Sequence, residues 1–376
     1  MKIGLVSPYD YGYPGGVIAH ISDLSHGLVK AGHQVKIIAP MSDPNPDIEE
    51  TFIRLGRSFP IPSGGSIARV SLSVWLKPHI RRLLSEEQFD ILHIHEPLAP
   101  FLPLVILRLS DSVNIGTFHA FHGSSKLHWA SKYLLENTAQ MLDGRIAVSE
   151  PAMRYASRDF PGEYKIIPNG IDFQRFNKSQ IPIPEFQDGK LNILFLGRLE
   201  KRKGLKYLLE SFSDIKWEYP NTRLIVVGIG NEDKTAHRII AERHIEDVIM
   251  VGASSYNDIP RYYHSADIYC SPATGGESFG IVLLEAMASG KPVIATNIDG
   301  YSSVMTNRKE GILVEPENPT SIKMALQEMI GDSKLREDFA KNGLKTAARY
   351  DWANVTKDII EYYEYHLERK RNGATD

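Results

Sequence analysis

The chain has 376 residues, 42% hydrophobic and 24% charged, the composition of a globular protein that buries a core, and its length suits two or three domains. A formal charge of -3 at pH 7 excludes general attraction to nucleic acid, and the single cysteine, Cys270, excludes an internal disulfide and a cysteine-rich zinc site. No apolar run is long enough to span a bilayer, and the first residues enter a short apolar strand without a signal-peptide region, so a cytoplasmic location is expected.

In chain order, short β-rich runs alternate with amphipathic segments. A strand at residues 3–7 leads into a glycine-containing turn, then Ile18, Ile21, Leu24, Leu28 and Val29 recur at helical spacing until Gly32 stops them. The next strand is 35–39. Residues 77–84 read as an amphipathic helix with Pro78 in its first turn. Ile80, Leu83 and Leu84 fall on one side of it, and Lys77, Arg81 and Arg82, with Arg69 nearby, offer positive charge to anionic lipid. An ordinary solvated helix face explains the same pattern equally well. Strands follow at 91–94, 113–118 and 145–148, turn residues cluster at 167–172, and a polar, proline-containing stretch runs to Gly189. The rhythm then restarts with strands at 193–196, 223–227, 248–251, 267–271 and 292–296. This predicts an α/β protein of two Rossmann-like, doubly wound domains, 1–170 and 171–351, facing across a cleft. A closing helix within about 352–376 packs back on one of them.

Four stretches carry candidate chemistry. After the first strand, Gly15 and Gly16 let backbone N–H groups approach a phosphate at a helix N-terminus, although the G-x-G-x-x-G spacing is missing and a flexible turn fits as well. Arg198, Lys201, Arg202 and Lys203 converge just before the helix start at Gly204-Leu205, which suits a diphosphate better than a solvated turn; no P-loop is present. His93 and His95 alternate on a strand and share a face, with His119 and His122 further on, but third and fourth metal ligands are not evident. No metal is therefore expected, and His119, at a strand end, is the active-site candidate. Glu277 and Glu285 stand eight positions apart after Gly275-Gly276 and share a side if a helix begins at Glu277; a capped helix with acidic residues is the bland alternative.

Taken together with Leu92-His93-Ile94-His95-Glu96-Pro97, Ile167-Pro168-Asn169-Gly170 and Phe195-Leu196-Gly197-Arg198, these stretches resemble the retaining GT-B glycosyltransferases of the Glu-x7-Glu type. More narrowly, they are similar to the phosphatidylinositol mannosyltransferases along nearly the whole chain. The resemblance implies the following roles. Gly15 and Gly16 meet the donor diphosphate; Arg198 and Lys203 neutralise it as it leaves. Glu277 binds the transferred sugar, helped by the backbone of Ser278, Phe279, Gly280 and Ile281, Glu285 holds the ribose, and His119 sits near the anomeric centre. Tyr9, Ile18, Leu98 and Lys126 line the acceptor pocket. The resemblance further implies a nucleotide-sugar donor (GDP-mannose), a lipid acceptor such as phosphatidylinositol, no cofactor or metal, and a peripheral place on the inner membrane face.

Apolar Ile18, Leu98 and Ala120 at acceptor positions, and Tyr256 where the family carries an acid near the base, leave three alternatives. One is a UDP-glucose-dependent diacylglycerol glucosyltransferase; another is transfer to a soluble sugar or inositol phosphate. The third, a nucleotide- or lipid-binding protein without activity, would keep the phosphate turns without needing His119 and Glu277.

Overall fold

The structure, a computed structural model, describes residues 1–13, 15–42, 51–63, 66–71, 74–119, 135–178, 180–230 and 232–373. Pro14, Ala120, His122 and Lys126 lie outside them. The chain divides into two compact units, Met1–Gly170 with Trp352–Asp376, and Ile171–Asp351.

The first unit contains β1 (Lys2–Val6), β2 (Gln34–Ala39), β3 (Phe52–Arg54), an antiparallel hairpin of β4 (Ser58–Ser63) and β5 (Ser66–Ser71), then β6 (Ile91–His95), β7 (Val113–Phe118), β8 (Gly144–Ala147) and β9 (Lys165–Ile166). Apart from the hairpin they form one parallel sheet, in the order β3-β2-β1-β6-β7-β8-β9. Strands covered on both faces read as continuous apolar runs, and β1 does so, with Ile3, Leu5 and Val6 fully buried.

On one face, the helix Gly16–Lys30 lays Ile21, Leu24 and Leu28 against the sheet. The last helix, Trp352–Arg371, joins the same core through Trp352, Val355, Ile359 and Tyr363. Trp352 is anchored twice. Its indole N–H donates to Asp23 at 3.2 Å, and its ring lies so close to Gly170 that a Cβ there would sit 2.4 Å away. On the other face, the helix Lys77–Glu87 begins with Pro78 in its first turn and packs Ile80, Leu83 and Leu84 into the cluster of Leu92, Ile94 and Ile106.

The second unit holds β10 (Leu191–Leu196), β11 (Thr222–Val227), β12 (Val248–Gly252), β13 (Ile268–Ser271), β14 (Val293–Thr296) and β15 (Gly311–Val314), all parallel, in the order β12-β11-β10-β13-β14-β15. Because β10 and β13 are neighbours, with Leu194 opposite Tyr269, their carboxyl-end loops leave the sheet side by side. Those loops lead into the helices Leu205–Glu218 and Ile281–Ala288. Gly204, at the first helix start, has φ 72, and a Cβ there would lie 1.9 Å from the Pro272 carbonyl oxygen. Only glycine lets the two loops touch.

The sequence pattern misses β3, the β4–β5 hairpin, β9 and β15. β3 and β9 are three and two residues long, too short for a period to show. Pro60 and Pro62 demote β4 on any strand count.

Trp352→Ala should cost about 3–5 kcal/mol of stability, because a large buried ring leaves a cavity and Asp23 loses its donor. Urea denaturation followed by tryptophan-independent circular dichroism measures this; a loss below about 1 kcal/mol would show that the last helix is not integral to the first unit's core.

Candidate functional site

In the second unit, five charged side chains meet where the β10 and β13 loops touch. Arg198 pairs with Glu200 at 2.9 Å, and Arg202 Nε reaches the other Glu200 oxygen at 2.9 Å. Arg202 also pairs with Glu277 Oε1 at 2.5 Å, and Lys203 Nζ meets that same oxygen at 2.8 Å. Glu200, Lys203 and Glu277 are each about 15% exposed, so these pairs are partly shielded and hydrogen-bonded rather than loose surface contacts. Three cations against two carboxylates leave a surplus of positive charge beside the strand ends, ready for an anion.

The Glu277 loop is held from the neighbouring strand as well. Thr274 N–H donates to the Arg202 carbonyl at 2.8 Å, and Thr296 Oγ1 donates to the Ala273 carbonyl at 2.5 Å. Gly300 lies directly beneath; a Cβ there would come within 2.0 Å of the Glu277 carbonyl oxygen.

The helix begins at Ile281, with Gly280 as its N-cap, so Glu277 precedes it. The two acids therefore do not ride one helix: Glu277 is a loop residue paired with Lys203, and Glu285 is a helix residue. Tyr263 donates its hydroxyl to Glu285 Oε2 at 2.9 Å. Phe279 packs its ring into the core against Tyr350, so its backbone is what remains for a ligand; Ser278 is half-buried, and Ile281 is 37% exposed.

In the first unit, the turn after β1 is built on Asp10, a residue that spacing did not single out. Its carboxylate is 1% exposed and accepts from Gly12 N–H at 3.0 Å, from Ser42 Oγ at 2.5 Å and from the Ser58 hydroxyl. Burial pushes its pKa up, but these hydrogen bonds outweigh burial and hold it below the usual carboxylate range. Gly15 and Gly16 are exposed at the N-terminus of Gly16–Lys30, which no side chain caps. A Cβ on either glycine meets nothing within 4 Å, so packing within the chain does not require glycine there. Burial first, and then the charge of Glu96, raises the Tyr9 phenol above its ordinary pKa. Ile18 is half-buried near the start of that helix, while Leu98 packs against two apolar clusters.

His119 lies just past β7 and belongs to a buried layer of histidines. His93 and His95 do share a face, their rings stacked with centroids 4.3 Å apart. His93 is spoken for on both nitrogens, Nδ1 by the Tyr363 hydroxyl at 2.6 Å and Nε2 by Thr117 Oγ1 at 2.5 Å. His95 Nδ1 and His119 Nε2 share a hydrogen bond of 2.9 Å, and the His119 backbone N–H donates to Glu96 at 2.8 Å. His20, from the helix Gly16–Lys30, sets its ring edge against both His95 and His119. Burial drives the pKa of His93 down to about 3. It drives His20 down to about 4, against a weaker opposing pull from Asn169. Burial lowers His95 and His119 far below the usual imidazole value too, and their neighbours add to it. All four rings are neutral at pH 7.

The four predicted lipid-facing cations divide. Lys77, Arg81 and Arg82 are exposed, Arg82 being paired with Glu86 at 2.7 Å. Arg69 instead stacks its guanidinium 4.0 Å above the Tyr13 ring, beside the glycine turn. Trp75, next to Lys77, is 86% exposed, an unusual place for that ring.

Two parallel-sheet Rossmann-like units of seven and six strands are the GT-B architecture. It is shared with an Anabaena protein, HepE, solved in complex with UDP, at a TM-score of 0.79, 19% identity and coverage of 97% of this chain and all of that one. A glycosyltransferase from Rickettsia africae matches equally, with a TM-score of 0.79, 18% identity and coverage of 97% and 98%. Residues 14–175 match the model of Glycosyltransferase Family 4, and residues 176–346 that of Glycosyl transferases group 1. The phosphatidyl-myo-inositol mannosyltransferase of Mycobacterium leprae is 34% identical over 97% of this chain and 96% of its own. That of Mycolicibacterium smegmatis is 33% identical, covering 97% and 94%. The chain belongs to the group 1 glycosyltransferases of GT-B fold, and within them it resembles the phosphatidyl-myo-inositol mannosyltransferases.

The histidine layer gives the fold an acid limit. An unfolded histidine takes up its proton near pH 6.5, whereas folded His20 and His93 resist until about 4 and about 3. Between those values the unfolded state binds more protons. The stability contributed by neutral burial is complete above pH 6.5 and is lost as pH falls, by up to about 1.4 kcal/mol per pH unit for each group. The thermal midpoint should drop steeply between pH 6.5 and 4.5; His93→Gln should flatten that slope, and an unchanged slope would remove His93 as a source of it.

Proposed function

We propose that the protein is a retaining hexosyltransferase that moves mannose from GDP-mannose to a phosphatidylinositol-type lipid at a membrane surface. The observation that carries the transfer chemistry is the shared grip of Arg202 and Lys203 on Glu277. The carboxylate occupies Arg202 and Lys203; a donor diphosphate, carrying more charge, takes its place on Lys203, with Arg198 beside it. Glu277 is then released to accept hydrogen bonds from sugar hydroxyls, and Glu285, held by Tyr263, accepts from the ribose. Backbone N–H groups of Ser278, Phe279, Gly280 and Ile281 complete the sugar contacts, and the resemblance assigns those of Gly15 and Gly16 to the diphosphate. The identity and near-complete coverage of the mannosyltransferase relatives support the choice of sugar and lipid.

In this reaction the bond from the anomeric carbon to the phosphate oxygen breaks. A bond to the acceptor oxygen forms on the same face, and the acceptor proton passes to the leaving phosphate. Catalysis is positioning plus neutralisation of phosphate charge, and none of its steps calls for a metal. His119, neutral by burial, donates or accepts a hydrogen bond near the anomeric centre without adding charge to an oxocarbenium-like state. Tyr9 and Ile18 flank the acceptor, and Lys126 and Leu98 are assigned to it by resemblance.

A UDP-linked donor is the second reading. The turn at Tyr256 offers no uncommitted carboxylate for guanine: Asp258 is taken by Ser255 at 2.8 Å and Arg261 at 3.2 Å, and the Arg175 guanidinium lies 3.5 Å over the Tyr256 ring.

Incubation with labelled GDP-mannose or UDP-glucose and vesicles containing phosphatidylinositol or diacylglycerol decides between these readings by the lipid that acquires label. Glu277→Gln should lower turnover at least about 100-fold while the fold persists by circular dichroism, since an amide cannot replace the carboxylate as a charged acceptor. An active Glu277→Gln protein would remove the sugar-binding role. For the surface, Trp75→Ala with Arg81→Glu and Arg82→Glu should weaken co-sedimentation with anionic vesicles about tenfold or more, from roughly 1 kcal/mol per charge and the loss of an interfacial indole. Equal sedimentation would leave the helix Lys77–Glu87 as an ordinary element of the sheet layer.

A further inference from the structure

We propose that His20, His95 and His119 form a binding site for a divalent ion of the zinc class. One ring nitrogen from each of the three lies within 4.8 Å of the others, and all three residues are buried, at 6%, 0% and 8% exposure. Burial alone makes no site, but two of the three rings also carry nitrogens without a partner. Both nitrogens of His20 and Nε2 of His95 are buried with no hydrogen-bond partner among the described residues. Buried imidazole nitrogens are normally satisfied, and each one left bare costs about 1–3 kcal/mol. A single ion takes only one nitrogen from each ring, so a bare His20 nitrogen beside the His95–His119 pair marks a place that a ligand fills.

The donor set selects the ligand. Three neutral imidazoles, each with one lone pair to offer, suit zinc, cobalt, nickel or copper and are a poor match for magnesium or calcium, which take oxygen. Zinc–nitrogen bonds of about 2.0–2.1 Å place two ligand nitrogens roughly 3.3 Å apart in a tetrahedron. The His95 Nδ1–His119 Nε2 pair, at 2.9 Å, is already within a few tenths of an ångström of that spacing, and His95 Nε2 stays outside the set. His20 comes from a separate helix and needs only to close in. His93 is excluded from the set, because Tyr363 and Thr117 hold both its nitrogens and make it the backing of His95 instead. The Asn169 carboxamide interacts with His20, and its Oδ1 is also unpartnered, so a fourth donor is at hand.

Binding rests on this geometry alone. Its consequence rests on the proposed function: an ion held by His119 adds positive charge beside the oxocarbenium-like state, so occupancy inhibits transfer.

The untagged full-length chain, stripped with chelator, is titrated with Co2+ and read by visible absorption. One equivalent should bind with the intense d–d bands of a four- or five-coordinate nitrogen site. His20→Phe, which conserves volume, should abolish those bands, and His20→Cys should restore binding with an added thiolate-to-cobalt charge-transfer band. Only the weak spectrum of hydrated cobalt, or bands unchanged in His20→Phe, would overturn the site. Should His20→Phe fail to fold by circular dichroism, His20→Cys decides alone: the new band supports the site and its absence overturns it. In the transfer assay, Zn2+ should inhibit the wild type reversibly, with EDTA restoring activity, and spare His20→Phe. Cobalt binding without zinc inhibition would overturn the inhibitory role and, separately, the placing of His119 at the sugar.

Discussion

The site in the second unit depends on one carboxylate oxygen, Glu277 Oε1, caught between Arg202 and Lys203. A loop with three glycines within six residues has little intrinsic order, and its backbone entropy must be offset by something specific. The offset is local. Arg202 donates to Glu277 and Glu200 from opposite sides of one guanidinium, while its own carbonyl accepts from Thr274. One residue thus joins the β10 loop to the β13 loop through both side chain and backbone. Lysine in its place could not fork in this way.

The same arrangement explains why an acid belongs among cations at a site proposed to take an anion. With no anion bound, three unpaired basic groups packed at strand ends would repel one another and hold the loop open. Glu277 and Glu200 neutralise most of that charge inside the protein. On the proposed donor role, an incoming diphosphate meets a loop already in place and exchanges one carboxylate for its own oxygens. The free-energy change is a difference between two ion-paired states, far smaller than the cost of ordering the loop from disorder.

Much of this was legible in residue order. The β1, β2, β6, β7, β8 and β10–β14 strands declare themselves as apolar runs, and Gly204, Lys203 and Glu277 stand out by spacing. Other features did not declare themselves, because they depend on contacts distant in sequence. Asp10 looks like a turn residue until Ser42 and Ser58 are seen to donate to it. Tyr263 reads as one more aromatic in a helix, and only its bond to Glu285 gives it a task. His20 falls on the helical period of an amphipathic segment, where a histidine suggests nothing; it meets His95 and His119 only because β1 lies beside β6. Gly300 is unremarkable in sequence, and its reason is a carbonyl oxygen 23 positions earlier.

The helix Lys77–Glu87 shows how a correct pattern can still leave function open. Amphipathicity was read correctly, but Ile80, Leu83 and Leu84 are consumed by the chain's own core, so they cannot enter a bilayer. What faces solvent is Lys77, Arg81, Arg82 and the neighbouring Trp75. Three cations near an anionic surface contribute about 1 kcal/mol each, less the share of Arg82 already given to Glu86. An indole at the headgroup level adds to this, but the sum stays far from that of an inserted helix. On the proposed lipid acceptor, attachment through this face is therefore weak, salt-sensitive and reversible. That suits an enzyme which must let a soluble nucleotide in and a lipid product out.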